Sequence, residues 1–372
     1  MVARTPPLPA PPPHHRVGLG ASSIRVAPGL ISHVAAIAKE VAPAHRYAII
    51  TDANVGPRYA SQVKKGLGRD KVDVLTIAPG ESNKTRDTWG HLTDQMLVRG
   101  FGRDSAVIAL GGGVVGDLAG FVAGTFMRGI PIVQVPTSLM AMVDAAIGGK
   151  TAVDTPAGKN LVGVFHSPAA IVVDPQVLAT LPLNELRAGF AEVIKHGVIA
   201  DEPYLRGVAS GAENLLAKGG ATSDTMLSAI VRSIEIKAGI VSRDEREEGL
   251  RKTLNFGHTI GHAIELLSGF SLLHGEAIAV GMALEGRLAE RIGVAEPGTA
   301  EAISGALRAF SLPTTLPGSF KSDAVIAAMG SDKKARRGET RFALPSRIGS
   351  MAGEASGWTV AVNNDQLREV LG

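Results

Sequence analysis

From about residue 17 to 185, short apolar, β-branched runs alternate with helical stretches. The runs are RYAIIT (46–51), DVLTI (73–77), SAVIAL (105–110), IPIVQV (130–135) and AIVVD (170–174). Strands that lack a polar face are buried on both sides, so the alternation predicts a parallel sheet covered by helices. Beyond about residue 184 the pattern changes. SDTMLSAIVRSIEIKAGIV and GEAIAVGMALEGRLAERIG repeat with helical period, and strand-like text returns only at TRFALPSRIG (340–349). The predicted boundary falls at the Leu181/Pro182 step. It gives a disordered, proline-rich tail (1–16), an α/β domain (17–182) and an all-helical domain (183–372).

Composition narrows the chemistry. Of 372 residues, 45% are hydrophobic and 20% charged, which is the balance of a globular chain. A net charge of +3, no long basic run and only 4% aromatics argue against a nucleic-acid partner. There is no cysteine, so any metal must sit on His, Asp or Glu. The longest uncharged apolar run, GIPIVQVPTSLMAMV, is too short and proline-broken to span a bilayer, and the first residues carry no apolar core of signal-peptide length. A soluble, cytoplasmic protein with no membrane partner is the expectation.

Candidate chemistry starts with SAVIALGGGVVGDLAGF (105–121): a strand, three glycines, then a helix expected to open near Val114. Glycines let backbone approach a ligand closely, and free N–H groups at a helix start attract phosphate. GGGVVG departs from the GxGxxG dinucleotide fingerprint, and a tight turn with no ligand explains the string equally well. Asp52 and Asn54 follow the 46–51 strand, where they could hold ribose hydroxyls, and Thr137 and Ser138 follow the 130–135 strand. Carboxyl ends of parallel strands are where open sheets bind nucleotides.

Possible metal ligands gather in the second half: Glu192, His258, His262 and His274. In LNFGHTIGHAIE (254–265), His258 and His262 are four apart and each is preceded by glycine. That spacing puts two imidazoles on one helix face and recruits both to a single ion. Taken one at a time, histidines that pack or cap helices are the commoner case.

The ordered series GGGVVGDLAGFVAGTFMRG, PTSLMAMVDAAIGGKTAV, GKNLVGVF, LPLNELRAGFAEVIKHG, DEREEGLRKTLNFGHTIGHAIE and LHGEA closely resembles the 3-dehydroquinate synthase family, from about residue 17 almost to the end. The resemblance implies a Rossmann-like nucleotide-binding α/β domain followed by a helical domain. It implies conversion of 3-deoxy-D-arabino-heptulosonate 7-phosphate to 3-dehydroquinate and phosphate, in the shikimate route. The steps are transient oxidation by NAD, β-elimination, re-reduction and intramolecular aldol closure. The implied cofactors are NAD and one divalent metal, zinc or else cobalt, and the implied assembly is a homodimer.

Carried over by motif, the metal ligands are Glu192, His258 and His274, whereas His262 faces substrate. This replaces the reading from spacing. Lys150, Asn160 and Arg128 face the substrate phosphate, Arg128 from a neighbouring subunit, joined by Lys334, with which Lys333 is easily confused. Lys237, Arg251 and Asn255 face the carboxylate. Asp144, Glu247 and His262 touch hydroxyls and relay protons. NAD is assigned Asp52, Asn54, Glu81, Lys84, Gly112, Gly113, Val114, Val115, Gly116, Asp117, Thr137, Ser138, Lys150, Lys159 and Thr180. The PGESNK segment is looser than the family form, and His196, where the family commonly has tyrosine, receives no role. Rivals within the same superfamily, making 2-deoxy-scyllo-inosose or a valiolone, act on substrates without a carboxylate and tend to be acidic at the Asn255 position. A metal-dependent alcohol or glycerol dehydrogenase shares the architecture but releases its NADH.

Overall fold

A computed structural model describes residues 13–20, 22–68, 71–156, 158–269, 271–330 and 340–372. By its internal contacts the chain divides between Leu181 and Pro182 into two compact units. Among the described residues, no helix is long and apolar enough to cross a membrane.

The first unit contains β1 (His15–Leu19), β2 (Ser22–Val26), α1 (Val34–Val41), β3 (Arg46–Asp52), α2 (Gly56–Lys64), β4 (Val72–Ile77), α3 (Arg86–Val98), β5 (Ser105–Gly111), α4 (Gly113–Thr125), β6 (Ile132–Pro136), β7 (Lys150–Thr155), β8 (Gly158–Phe165) and β9 (Ala170–Val173). Seven strands form one sheet in the order β1-β2-β9-β6-β5-β3-β4, parallel except for β1 against β2. Its core strands are mostly apolar because both faces are covered, with Thr51 and Gln134 among the buried polar exceptions. Leu92 and Met96 of α3, with Leu118 and Val122 of α4, pack on Ala48, Ile50, Val107 and Ala109.

The chain runs from β3 outward to β4, then returns to the other side of β3 as β5. Ligands of open α/β sheets bind where the strand order reverses in this way. Asp52, Gly111 and Pro136 end three neighbouring strands there, with Thr51 beside Leu110 and Gly111 beside Pro136.

Two expectations about the ends of the units are corrected. The tail was expected to reach residue 16, but His15 and Arg16 belong to β1 and pair with Val26 and Arg25. Gly20, at φ 57°, lets the chain double back so that Leu19 faces Ser22. The second unit is largely helical but not all-helical. It contains α5 (Leu183–Ala200), α6 (Glu202–Ser210), α7 (Ala212–Leu216), α8 (Asp224–Arg243), α9 (His258–Leu267), α10 (His274–Arg291), α11 (Thr299–Ala309), α12 (Ser322–Gly330), β10 (Thr340–Phe342), β11 (Pro345–Arg347), β12 (Ser350–Met351), β13 (Val360–Val362) and α13 (Asn364–Leu371). The four short strands form two small antiparallel pairs, β10 with β13 and β11 with β12. Phe342 and Leu344 go fully into the helical core, which is what holds these extended segments in place.

Candidate functional site

In the first unit, α4 opens at Gly113 with Gly112 as its cap residue, and no side chain caps it. The first-turn N–H groups are therefore available to an anion. Gly111 and Gly112 differ in what they do. A methyl group on Gly111 would lie 2.6 Å from Val115 Cβ, so packing of α4 on β5 demands glycine there. On Gly112 it would meet nothing closer than Ser138 Oγ at 3.4 Å, an ordinary contact, so packing does not demand glycine there.

The neighbouring candidates are partly engaged by their own turns. Asp52 Oδ1 accepts the N–H groups of Asn54 and Val55, at 2.8 and 2.9 Å, while Asn54 itself is exposed. The Thr137 N–H donates to Gly111, and Ser138 Oγ accepts from Ala141 at the start of the turn that carries Asp144. Thr180 Oγ1 lies 2.8 Å from the Tyr59 hydroxyl.

A buried charge cluster lies in the same unit. Lys84, 3% exposed, places Nζ 2.8 Å from Glu81, 3.3 Å from Asp117 and 3.6 Å from Asp154, and it donates to Asn160 Oδ1 at 2.8 Å. Lys159 also reaches Glu81, at 3.0 Å. Burial opposes the charge on Glu81, but the two ammonium groups prevail and hold it at about 2. For Asp117 burial wins over Lys84 and pushes the carboxyl up to about 6. Asp154, absent from the sequence reading, is also raised by burial and accepts the Asn160 N–H at 2.9 Å. Asn160 is held at φ 55° and Arg128, exposed, at φ 68°, both uncommon for side-chain-bearing residues and typical of functional turns. Lys150 is exposed at the start of β7.

In the second unit, α5, α9 and α10 converge on one cluster. Donor atoms of Glu192, His258 and His274 all lie within 4.8 Å of one another. Glu192 is fully buried, faces the Lys195 ammonium one helical turn on, and has Oε1 3.7 Å from His258 Nε2. His258 Nδ1 lies 3.2 Å from the Phe256 carbonyl, which can only accept. Nδ1 is therefore the protonated nitrogen and Nε2 keeps its lone pair toward Glu192. His274 Nδ1 likewise meets the Glu265 carboxylate at 3.3 Å, leaving Nε2 as donor. A buried carboxylate and two imidazoles held in the ligating tautomer fit a divalent ion of zinc type. His262, Glu265 and His274 form a second such group, and neither group contains both His258 and His262. The four-residue spacing brings the two rings to 5.1 Å, edge to face, but not into one donor set.

Of the anion-facing candidates of this unit, Lys237 lies on α8 and Arg251 on a turn around Asp244, whose carboxylate accepts N–H groups from Glu248, Gly249 and Arg251. Burial opposes its charge, yet these amides keep its carboxyl below the ordinary range. Arg251 and Lys237 are buried, and Arg251 also donates to the Glu245 carbonyl. Asn255 donates to Glu247 at 2.5 Å, and Glu247 is held at φ 62°. Lys333 and Lys334 lie outside the described residues. The sequence reading left out Lys195, Glu265, Asp154 and Asp244. Lys195, three residues after Glu192, and Glu265, three after His262, had a helical-spacing signal; the other two had none.

Comparison with known proteins agrees in both units. The chain matches the family profile described as 3-dehydroquinate synthase N-terminal over residues 74–188, and the C-terminal one over 189–335. A 3-dehydroquinate synthase of Caulobacter vibrioides is 44% identical over 344 residues, covering 90% of this chain and 92% of the relative. The chain belongs to the 3-dehydroquinate synthase family. Solved structures of similar architecture include a 2-deoxy-scyllo-inosose synthase complexed with carbaglucose-6-phosphate, NAD+ and Co2+, at TM-score 0.84 and 27% identity over 96% of this chain and 99% of that one. A 2-epi-5-epi-valiolone synthase from Streptomyces hygroscopicus, with NAD+ and Zn2+ bound, has TM-score 0.82 and 28% identity over 94% and 95%. The family's named relatives are thus more similar in sequence than these sister cyclases are.

Proposed function

We propose that this chain converts 3-deoxy-D-arabino-heptulosonate 7-phosphate to 3-dehydroquinate and phosphate, as a carbon–oxygen lyase of the cytoplasm. The observation that carries the reading is the convergence of Glu192, His258 and His274 in a chain of this family.

These three residues would hold zinc or cobalt, the latter being the ion in the inosose synthase structure. A divalent cation there supplies Lewis-acid polarisation of substrate oxygens. NAD supplies reversible hydride acceptance. Its pyrophosphate suits the uncapped start of α4 at Gly112, Gly113, Val114, Val115 and Gly116, its ribose Asp52 and Asn54, and the rest of it Thr137, Ser138, Thr180 and the Glu81, Lys84, Asp117, Lys159 cluster.

The chain's own side chains bind and orient. Arg251, buried and fixed at both its backbone N–H and its guanidinium, is prepared to pair with a carboxylate without losing further freedom, and Lys237 and Asn255 assist. Lys150, Asn160, Lys334 and Arg128 receive the phosphate, Arg128 from the second subunit of a homodimer. Asp144, Glu247 and His262 hold hydroxyls and move protons, with Glu247 oriented by Asn255.

The test is phosphate release from the heptulosonate phosphate. Release that needs NAD, stops with a chelator and leaves no net NADH is the expected result. Turnover of glucose 6-phosphate or sedoheptulose 7-phosphate instead would move the chain to a sister cyclase, and stoichiometric NADH would move it to a dehydrogenase.

A further inference from the structure

We infer that Glu285 is a positioning residue for metal binding, fixing the first turn of α9 and through it His258. The inference rests on the metal reading of Glu192, His258 and His274.

A helix start leaves several N–H groups without partners, and a Ser, Thr, Asp or Asn at the cap position normally meets one of them. The cap residue of α9 is Gly257, at φ 81°, and it has no side chain to offer. His258 is the first residue of the helix. Glu285, fully buried on α10, caps the helix instead. Its Oε2 accepts the Gly257 N–H at 2.6 Å and its Oε1 the Ile260 N–H at 3.0 Å. These are the cap and third positions, the two amides that a capping box satisfies with two side chains of its own helix. Here one carboxylate from another helix satisfies both.

The geometry ties two ligands to one element. α10 presents His274 at its first position and, about three turns further on, clamps the turn that presents His258. Glycine contacts set the distance between the helices, and Glu285 sets where along α10 and at what rotation α9 begins. Without the carboxylate, two buried amides lose their acceptor and the first turn of α9 must shift or fray. Residues that orient metal ligands typically change affinity by about 10–100-fold when replaced.

The experiment titrates full-length, metal-free protein with Co2+ and reads the visible absorption of the bound ion. Wild type, H258A, E285Q, E285A and L307A are compared, Leu307 being buried on α11, outside the hydrophobic cluster that contains Ile260. E285Q and E285A should bind at least about tenfold more weakly, with an altered band. L307A should melt earlier yet keep the wild-type affinity and band, separating positioning from general stability. Wild-type affinity and spectrum in both Glu285 variants would overturn the inference while H258A still reports the metal site. Wild-type binding by H258A would remove the metal reading, and this inference with it. Should neither Glu285 variant fold, amide exchange of the wild type decides: Gly257 and Ile260 N–H should be protected before Co2+ is added, and exchange at the rate of an uncapped helix end overturns the assignment.

Discussion

Gly281 of α10 lies directly against the carbonyl of Gly257: a methyl group on Gly281 would sit 2.0 Å from that oxygen. On the α9 side, a methyl group on Gly257 would meet Met282 Cγ at 2.4 Å, and one on Gly261 would meet Ile278 Cδ1 at 2.7 Å. The glycine before each histidine of GHTIGH therefore faces α10, and its absent side chain lets the helices approach. His258 is turned toward Glu192 and His274, and His262 is exposed beside them.

Gly281→Ala should destabilise the protein by about 3 kcal/mol or more, because backbone meets backbone and neither can yield cheaply. Gly239, exposed within α8 with nothing within 4 Å of an added methyl group, is the control. Gly239→Ala should stabilise by about 0.5–1 kcal/mol. Urea unfolding midpoints measure both; equal effects would contradict the packing argument.

His258→Ala should lose bound metal and activity together. His262→Ala, lacking a donor in the Glu192 group, should retain metal and lose mainly turnover. Metal content by elemental analysis separates the two, and loss of the ion in both variants would favour the pairing suggested by the four-residue spacing.

Glu265→Gln should weaken metal binding by roughly 10–100-fold. The amide can present its NH2 to His274 Nδ1 and so release the ring from the tautomer that leaves Nε2 free. Competition with a chelator measures the affinity. An unchanged value would show that the 3.3 Å contact does not orient His274.

Asp117→Asn should raise stability near neutral pH and weaken NAD binding. The carboxyl rises from 3.8 to about 6 on folding, so the fold takes up its proton earlier than the unfolded chain. Its charge opposes folding above about pH 6, by up to roughly 3 kcal/mol, and that opposition fades as pH falls toward 4. Glu81 runs the other way: its stabilisation is present above 4.5 and is lost as pH falls toward 2. The gain in melting temperature of D117N over wild type should therefore be largest near pH 7 and shrink by about pH 4. A gain independent of pH would count against the charge cluster as its cause.

Much of the sheet was legible because its central strands are buried on both sides and so spell apolar runs. β8 was not, since Leu161, Val162 and Phe165 are exposed and its extended form comes from pairing with β7. β10 and β11 fall within the strand-like TRFALPSRIG stretch, but β12 and β13, two and three residues long, are too short for any period to register. In the candidate metal cluster the donor types were readable once cysteine was absent. Periodicity alone paired His258 with His262, because spacing reports neighbours on one helix and is silent about a third helix.

What the amino-acid sequence determined by itself was the kind of each long element, the motif order that marks the family, and the stock of carboxylate and imidazole donors. The tertiary structure decided which donors meet. Glu192, His258 and His274 share one set because three helices bring them together. Glu265 acts at nine residues' separation from the group it holds, and Glu285 at twenty-five and twenty-eight from its two. Local pattern tells which face of an element is apolar, but which faces then touch depends on side-chain shape and on where glycine allows two backbones to close.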